Sequence, residues 1–241
     1  MALTPLALAL GAALGNLVGA LAVVRAERRS LAAIQMSLAF GAGFMLALVL
    51  VGVLPEVFTT APHRAAAGML VLLGYLLVHV AQHVFTPHFH FGEETHAVPS
   101  SAGYSALLGL TLHAFFDGVA IASGFLVSVP LGVLFFLAIL LHKLPEGVTV
   151  ASVMLASGAA RRQALLGGLV LGLATIAGAL LTEAVAPLAE YGLALAAGVT
   201  LYVAASNLVP EVQSSRGARI TAAFLGGAAA LLLLRSSTGL G

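Results

Sequence analysis

Residues 101–156 read SAGYSALLGLTLHAFFDGVAIASGFLVSVPLGVLFFLAILLHKLPEGVTVASVMLA, two long apolar runs on either side of a short link. A helix that crosses a bilayer needs about 20 mostly apolar residues, and each run is long enough. The stretch therefore predicts two transmembrane helices, Ser101–Phe125 and Val129–Ala156. The link, near Val127 to Pro130, is so short that the two helices must be antiparallel.

Six further apolar runs of similar length flank these two in the sequence. Charged or Pro/Gly-rich segments separate them, as expected for connections between membrane helices. We predict an all-α, polytopic integral membrane protein in which residues 1–241 form a single transmembrane domain of eight helices, here called spans 1 to 8. The six further spans are predicted at Ala2–Val24, Leu31–Leu54, Ala65–Phe85, Gln163–Val185, Ala189–Val209 and Arg219–Leu234.

The composition agrees with a chain that is solvated by lipid. Apolar residues make up 61% of the chain and charged residues only 8%, whereas an average protein carries about 25% charged residues. The net charge of +1 argues against the dense basic surface of a nucleic-acid-binding protein, so no nucleic-acid partner is expected. The chain has no cysteine, which excludes disulfides and thiolate metal sites. No organic cofactor is expected.

The arginines between the spans indicate the orientation, because basic connections stay on the cytoplasmic side. Seven arginines fall in the odd-numbered connections, and two fall in the even-numbered connections and the C-terminal tail. We therefore expect a multi-pass protein of the plasma (cytoplasmic) membrane with both termini extracytoplasmic. The seven are Arg25, Arg28, Arg29, Arg161, Arg162, Arg216 and Arg219; the two are Arg64 and Arg235.

The connection after span 3, residues 86–100, is cytoplasmic by this count and contains His88 and His90. A short His-rich tract is typical of weak metal capture or delivery, although an ordinary polar loop has the same composition. On span 3 itself, His79 and His83 are four residues apart and lie on one helix face. This spacing predicts a cytoplasmic exit or capture site for a metal ion.

Ionisable residues stand in the middle of spans 4 and 5, where a charge is costly and therefore indicates function. Span 4 contains His113 and Asp117, and span 5 contains His142 and Glu146, so each span pairs a histidine with a carboxylate four residues later. A single pair of this kind is as typical of helix packing as of ligation. Two pairs on adjacent antiparallel helices predict one site for a divalent metal that accepts nitrogen and oxygen ligands.

The motifs that carry these residues, His-Ala-Phe-Phe-Asp-Gly and His-Lys-Leu-Pro-Glu-Gly, resemble those of the ZIP (Zrt/Irt-like) divalent metal transporters. The segments Leu54-Pro55-Glu56, Thr86-Pro87-His88-Phe89-His90 and Val209-Pro210-Glu211 also agree. The resemblance implies uptake of a divalent transition metal into the cytoplasm by alternating access. Zinc is the expected ion, with iron, manganese, cobalt, nickel or cadmium as alternatives. It further implies a transport bundle of spans 1, 4, 5 and 6, a scaffold of spans 2, 3, 7 and 8, and a homodimer.

Carried over by position, the resemblance implies that the metal ligands are His113, Asp117, His142 and Glu146. It also implies auxiliary roles for Met45 in span 2, Glu183 in span 6, and Asn207 and Glu211 in span 7. A methionine in an apolar span is also typical of simple packing. Relatives frequently carry an acid at the position of Asn207, which is a departure here.

A second departure is Lys143, directly after His142, where many relatives have a metal-binding residue; the other residue of that second site is Ala114 here. At roughly 6 Å and an effective dielectric near 20, an ammonium repels a divalent ion by about 5 kcal/mol. We therefore predict a site for one metal ion, in which Lys143 replaces the second cation. The alternative is that Lys143 extends along the helix to the membrane interface.

Two other functions use the same residues. An intramembrane metal-dependent hydrolase would need an open coordination position that activates water, but the chain lacks a His-Glu-x-x-His motif. A proton-coupled carrier of a non-metal solute would use the buried carboxylates as proton relays. We expect a transporter of a metal ion and not an enzyme.

Overall fold

The computed structural model describes residues 4–25, 31–60, 63–85, 102–214 and 217–238, and this part of the chain is helical with short connections. Eight helices in it are long and apolar enough to cross a membrane, which confirms the predicted number of spans. In chain order they are Pro5–Arg25; Leu31–Ala47 continuing through Leu48–Val53 and Leu54–Thr60; Arg64–Phe85; Ala102–Val127; Val129–Ala156; Arg161–Ala184; Ala186–Tyr202 continuing through Val203–Leu208 and Val209–Ser214; and Ala218–Thr238.

Spans 2 and 7 extend beyond their predicted ends at Leu54 and Val209, where a proline follows in the sequence. In both spans a six-residue π-helical segment comes just before that proline. The π-helical turn is wider than an α-helical one, so the chain accommodates the proline ring and continues as a helix. Pro55 has no N–H to donate to the Val51 carbonyl, four residues before it. That carbonyl accepts a hydrogen bond from the guanidinium of Arg235 of span 8.

Glycines bring the spans together in four reciprocal pairs. A Cβ atom on Gly118 of span 4 would overlap the Thr175 carbonyl of span 6, and one on Gly178 of span 6 would overlap the Phe115 carbonyl of span 4. In a membrane such close backbone approach replaces the hydrophobic effect as the source of packing energy. The other pairs join span 1 to 5, span 2 to 8 and span 3 to 7, through Gly19 with Gly147, Gly43 with Gly227, and Gly74 with Gly198.

Span 8 offers a matched test of this packing. We expect Gly227→Ala to destabilise the protein by about 1–3 kcal/mol, because the added methyl overlaps the Phe40 carbonyl of span 2 and overpacking costs that much. Gly226→Ala is the control, since the nearest atoms to its new methyl lie 3.9 Å away. Thermal unfolding in detergent should show a lower midpoint for Gly227→Ala only. Equal midpoints for the two variants would contradict the close contact between spans 2 and 8.

Candidate metal centre

The turn between spans 4 and 5 sets the depth of the polar residues. Ser128 alone separates the two helices, and its hydroxyl caps span 5 by accepting a hydrogen bond from the Leu131 amide at 3.3 Å. Asp117 lies 11 residues before Ser128, and His142 lies 14 residues after it. Because both helices rise about 1.5 Å per residue, these two side chains reach a similar depth.

The structure brings the four predicted ligands together. His113, Asp117, His142 and Glu146 are all buried, and one ligand atom from each lies within 4.8 Å of the others. Among the described residues this is the group of His, Asp and Glu side chains that is close enough to hold an ion.

Asp117 is at the centre of the cluster. Its Oδ2 atom lies 3.3 Å from His113 Nε2 and 3.4 Å from His142 Nε2. The Nδ1 atom of His142 is 3.0 Å from the Ala138 carbonyl of its own helix. If Nδ1 carries the proton and donates it to this carbonyl, Nε2 is left as the free lone pair that a metal ion requires.

Lys143 occupies the same cluster. Its side chain is 0% exposed, and its Nζ atom lies 2.6 Å from Asp117 Oδ2 and 2.6 Å from Glu146 Oε2. The ammonium therefore bridges the two carboxylates across spans 4 and 5. This position does not fit the alternative in which Lys143 extends to the membrane interface.

Asn16 of span 1 is a member of the cluster that the sequence interpretation missed. It is 0% exposed, and its neighbours in span 5 are both acceptors, so its amide nitrogen must face them. In that orientation it donates to Glu146 Oε2 at 3.1 Å and to the Lys143 carbonyl at 2.7 Å. The sequence feature that could have indicated its role is that Asn16 is a lone amide in an apolar span, between Gly15 and Gly19.

Two buried atoms of the cluster have no hydrogen-bond partner among the described residues, namely Glu146 Oε1 and His113 Nδ1. Buried polar atoms are normally satisfied, so each exception requires an explanation. Carboxylates bind transition metals, and the unused lone pairs of Glu146 Oε1 fit a site that receives a cation.

The four residues for which the resemblance implied auxiliary roles lie on spans 2, 6 and 7. Met45 is 1% exposed and packs with Val203 and Ala204 of span 7. Glu183 is exposed near the end of span 6, outside the cluster. Asn207 and Glu211 are half-buried, the first in the π-helical segment of span 7 and the second just after it.

The rings of His79 and His83 stack on span 3, with centroids 3.9 Å apart. His83 Nδ1 is 2.8 Å from the His79 carbonyl, and the His79 ring also meets Tyr202 edge-to-face at 5.8 Å. The two histidines are therefore neighbours, as their spacing predicted. His88 and His90, in the connection 86–100, lie outside the described residues.

Eight apolar helices around a buried group of two imidazoles, two carboxylates and an ammonium define a multi-pass membrane protein with a candidate site for a divalent transition metal. The family model described as ZIP Zinc transporter matches residues 92–235. The chain belongs to the ZIP family, as the motifs of spans 4 and 5 predicted. This is a family of transporters and not of enzymes, so the metal-dependent hydrolase loses its support.

Curated relatives agree with this assignment. Zinc transporter ZIP9 of Micropogonias undulatus is 30% identical over 162 residues, which cover 62% of this chain and 52% of the relative. Zinc transporter ZIP4 of Homo sapiens is 35% identical over 141 residues, covering 54% and 22%. Zinc transporter ZIP13 of Pongo abelii is 27% identical over 201 residues, covering 74% and 58%. The chain thus spans about half the length of the ZIP9 relative that it matches.

Proposed function

We propose that this protein moves a divalent transition metal across a membrane through the site formed by His113, Asp117, His142 and Glu146. The observation that carries the proposal is the convergence of these four buried side chains from two helices to within 4.8 Å. In a tetrahedral zinc site with bonds of about 2.0–2.1 Å, ligand atoms lie about 3.4 Å apart. A contraction of about 1.4 Å in the longest of these separations would therefore suffice for the cluster to bind the ion as cargo.

The donor set favours zinc and similar ions over calcium and magnesium, which prefer shells of oxygen alone. We propose zinc as the physiological cargo, because the relatives are named zinc transporters. Iron, manganese, cobalt, nickel and cadmium accept the same ligands, so the shell itself does not select among them. Auxiliary ligation by Met45, Glu183, Asn207 or Glu211 belongs to the same proposal.

We further propose that the site holds one metal ion and that Lys143 takes the place of a second cation. The ammonium contacts both carboxylates at 2.6 Å, so it already provides charge where a bridging ion would lie. Two carboxylates and one ammonium carry a net charge of −1, and a bound divalent ion changes this to +1. The positive charge of the loaded site favours rapid release of the ion.

Alternating access requires two bodies that move against each other, and we propose spans 1, 4, 5 and 6 as the transport bundle and spans 2, 3, 7 and 8 as the scaffold. The glycine pairs support this division, because each pair joins two spans of the same group: 1 with 5, 4 with 6, 2 with 8, and 3 with 7. A homodimer formed by the scaffold is part of the proposal.

We propose that the protein takes the ion up into the cytoplasm across the plasma membrane, a direction that the family resemblance implies. The arginine distribution supports the orientation of this proposal, with both termini extracytoplasmic. On this orientation, His79 and His83 lie at the cytoplasmic half of span 3. We propose that they receive the ion as it leaves the metal site for the cytoplasm, together with His88 and His90 of the connection 86–100.

Uptake of zinc into proteoliposomes tests the function. We expect protein-dependent accumulation that competing manganese, cobalt and cadmium reduce, and that excess magnesium leaves unchanged because its oxygen preference does not fit the site. An imposed pH gradient in the same assay reports coupling to protons. Accumulation of zinc equal to that in protein-free liposomes would refute the proposed transport.

A further inference from the structure

Span 1 contributes a single polar side chain to the metal site. Asn16 is fully buried and, with its amide nitrogen facing span 5, donates to Glu146 Oε2 at 3.1 Å and to the Lys143 carbonyl at 2.7 Å. An amide has two N–H donors, so both bonds form at once. Asn16 thereby ties the carboxylate of Glu146 to the backbone one turn before it.

Glycines on spans 1 and 5 allow the Asn16 amide to come within hydrogen-bond distance of Glu146. A Cβ atom on Gly147 would overlap the Asn16 carbonyl, and one on Gly19 would overlap the Leu144 carbonyl. A Cβ atom on Gly15 would come within 2.9 Å of the Lys143 Cβ. The backbones of spans 1 and 5 are therefore in contact at the depth of Glu146, and a larger residue at these positions would move Asn16 away.

The two oxygens of Glu146 have different surroundings as a result. Oε2 accepts from Lys143 Nζ at 2.6 Å and from Asn16, whereas Oε1 has no partner among the described residues and is buried. A carboxylate that is held through one oxygen presents the other in a fixed direction. Such support of a metal ligand by a neighbouring donor tunes both its orientation and its affinity.

We propose that Asn16 is a positioning residue for the metal site: it holds Glu146 by Oε2 so that Oε1 is directed at the metal ion. This rests on the proposed function, since it assigns the metal-facing atom of a proposed ligand. It also gives span 1 a role in the site that no sequence motif indicated, because a displacement of span 1 relative to span 5 would release Glu146.

The experiment measures the zinc dissociation constant of the full chain in detergent, by competition with a fluorescent chelator. Asn16→Leu keeps the approximate shape and removes both donors, and we expect it to weaken zinc binding about tenfold, the usual effect of removing a group that supports a ligand. Asn16→Ser retains a hydroxyl donor, and we expect a loss of about threefold. Thr182→Val is the control: Thr182 is equally buried but bonds the Gly178 carbonyl of its own helix.

A second background separates positioning from a general effect on folding. In Glu146→Gln, where the charged ligand is already lost, we expect Asn16→Leu to weaken zinc binding by less than twofold further. The inference would be overturned if both Asn16 variants bound zinc as tightly as the wild type, or if Asn16→Leu still weakened binding tenfold in the Glu146→Gln background. In either case, zinc binding by the wild type would leave the proposed function standing. A wild-type protein that binds no zinc would overturn both. If Asn16→Leu fails to fold, the zinc affinity of Asn16→Ser is compared in the same two backgrounds, wild type and Glu146→Gln.

Discussion

Zinc uptake into proteoliposomes should fall by on the order of 100-fold or more in His113→Ala, Asp117→Asn, His142→Ala and Glu146→Gln. The alanine variants each remove one of the four converging ligands, and the amide variants remove the negative charge of a carboxylate ligand, so a divalent ion is held poorly in the buried site. Asp117→Asn should have the largest effect, because Oδ2 of Asp117 contacts both histidines and Lys143. Initial rates of uptake at saturating and subsaturating zinc measure the loss.

Ser123→Ala is the matched control for the ligand series. Ser123 is 1% exposed on span 4, and its hydroxyl has no hydrogen-bond partner among the described residues. We expect this variant to transport within twofold of the wild type. If the four ligand variants also stay within twofold, the metal does not pass through this site.

Lys143→Met should lower stability and raise metal affinity at the same time. Loss of one partner from a buried ion pair costs about 3–5 kcal/mol, because Asp117 and Glu146 are left as neighbouring uncompensated carboxylates. The metal-free protein should therefore unfold at a lower temperature. Zinc should bind on the order of tenfold more tightly, since the ammonium no longer repels the divalent ion beside the two carboxylates. Thermal unfolding with and without zinc measures both effects.

Lys143→Arg keeps the positive charge and is the control. We expect it to change the unfolding temperature and the zinc affinity less than Lys143→Met does. Lys143→Asp extends the test, because a third carboxylate beside Asp117 and Glu146 should allow a second metal ion to bind. Elemental analysis should then rise from one metal per chain in the wild type to two in the variant. Two tightly bound metals in the wild-type protein would refute the role of Lys143 as a substitute cation.

The number of spans and the four proposed ligands could be predicted because both depend on local periodicity. Eight apolar runs of sufficient length were visible in the sequence, and the spacing of His113 to Asp117 and of His142 to Glu146 places each pair on one helix face. The tight link at Ser128 then fixes the depth of the two helices relative to each other. No long-range information was needed for these conclusions.

The remaining features depend on contacts between distant segments. The hydrogen bonds of Asn16 require the backbone contact of spans 1 and 5, which is set by glycines that are 128 positions apart, Gly19 and Gly147. The bridge from Lys143 to Asp117 depends on how spans 4 and 5 are rotated about their axes. The π-helical segments before Pro55 and Pro210 differ from the α-helix by one residue per hydrogen bond, and residue type alone does not encode that difference.

X-ray absorption at the zinc edge on the purified, zinc-loaded protein tests the central claim most directly. We predict one zinc ion per chain, with a first shell of two imidazole nitrogens and two carboxylate oxygens at about 2.0–2.2 Å. No scattering from a second metal is expected, and His142→Ala should lose one imidazole from the shell. A shell without histidine, or a metal–metal distance in the wild-type spectrum, would contradict a mononuclear site at His113, Asp117, His142 and Glu146.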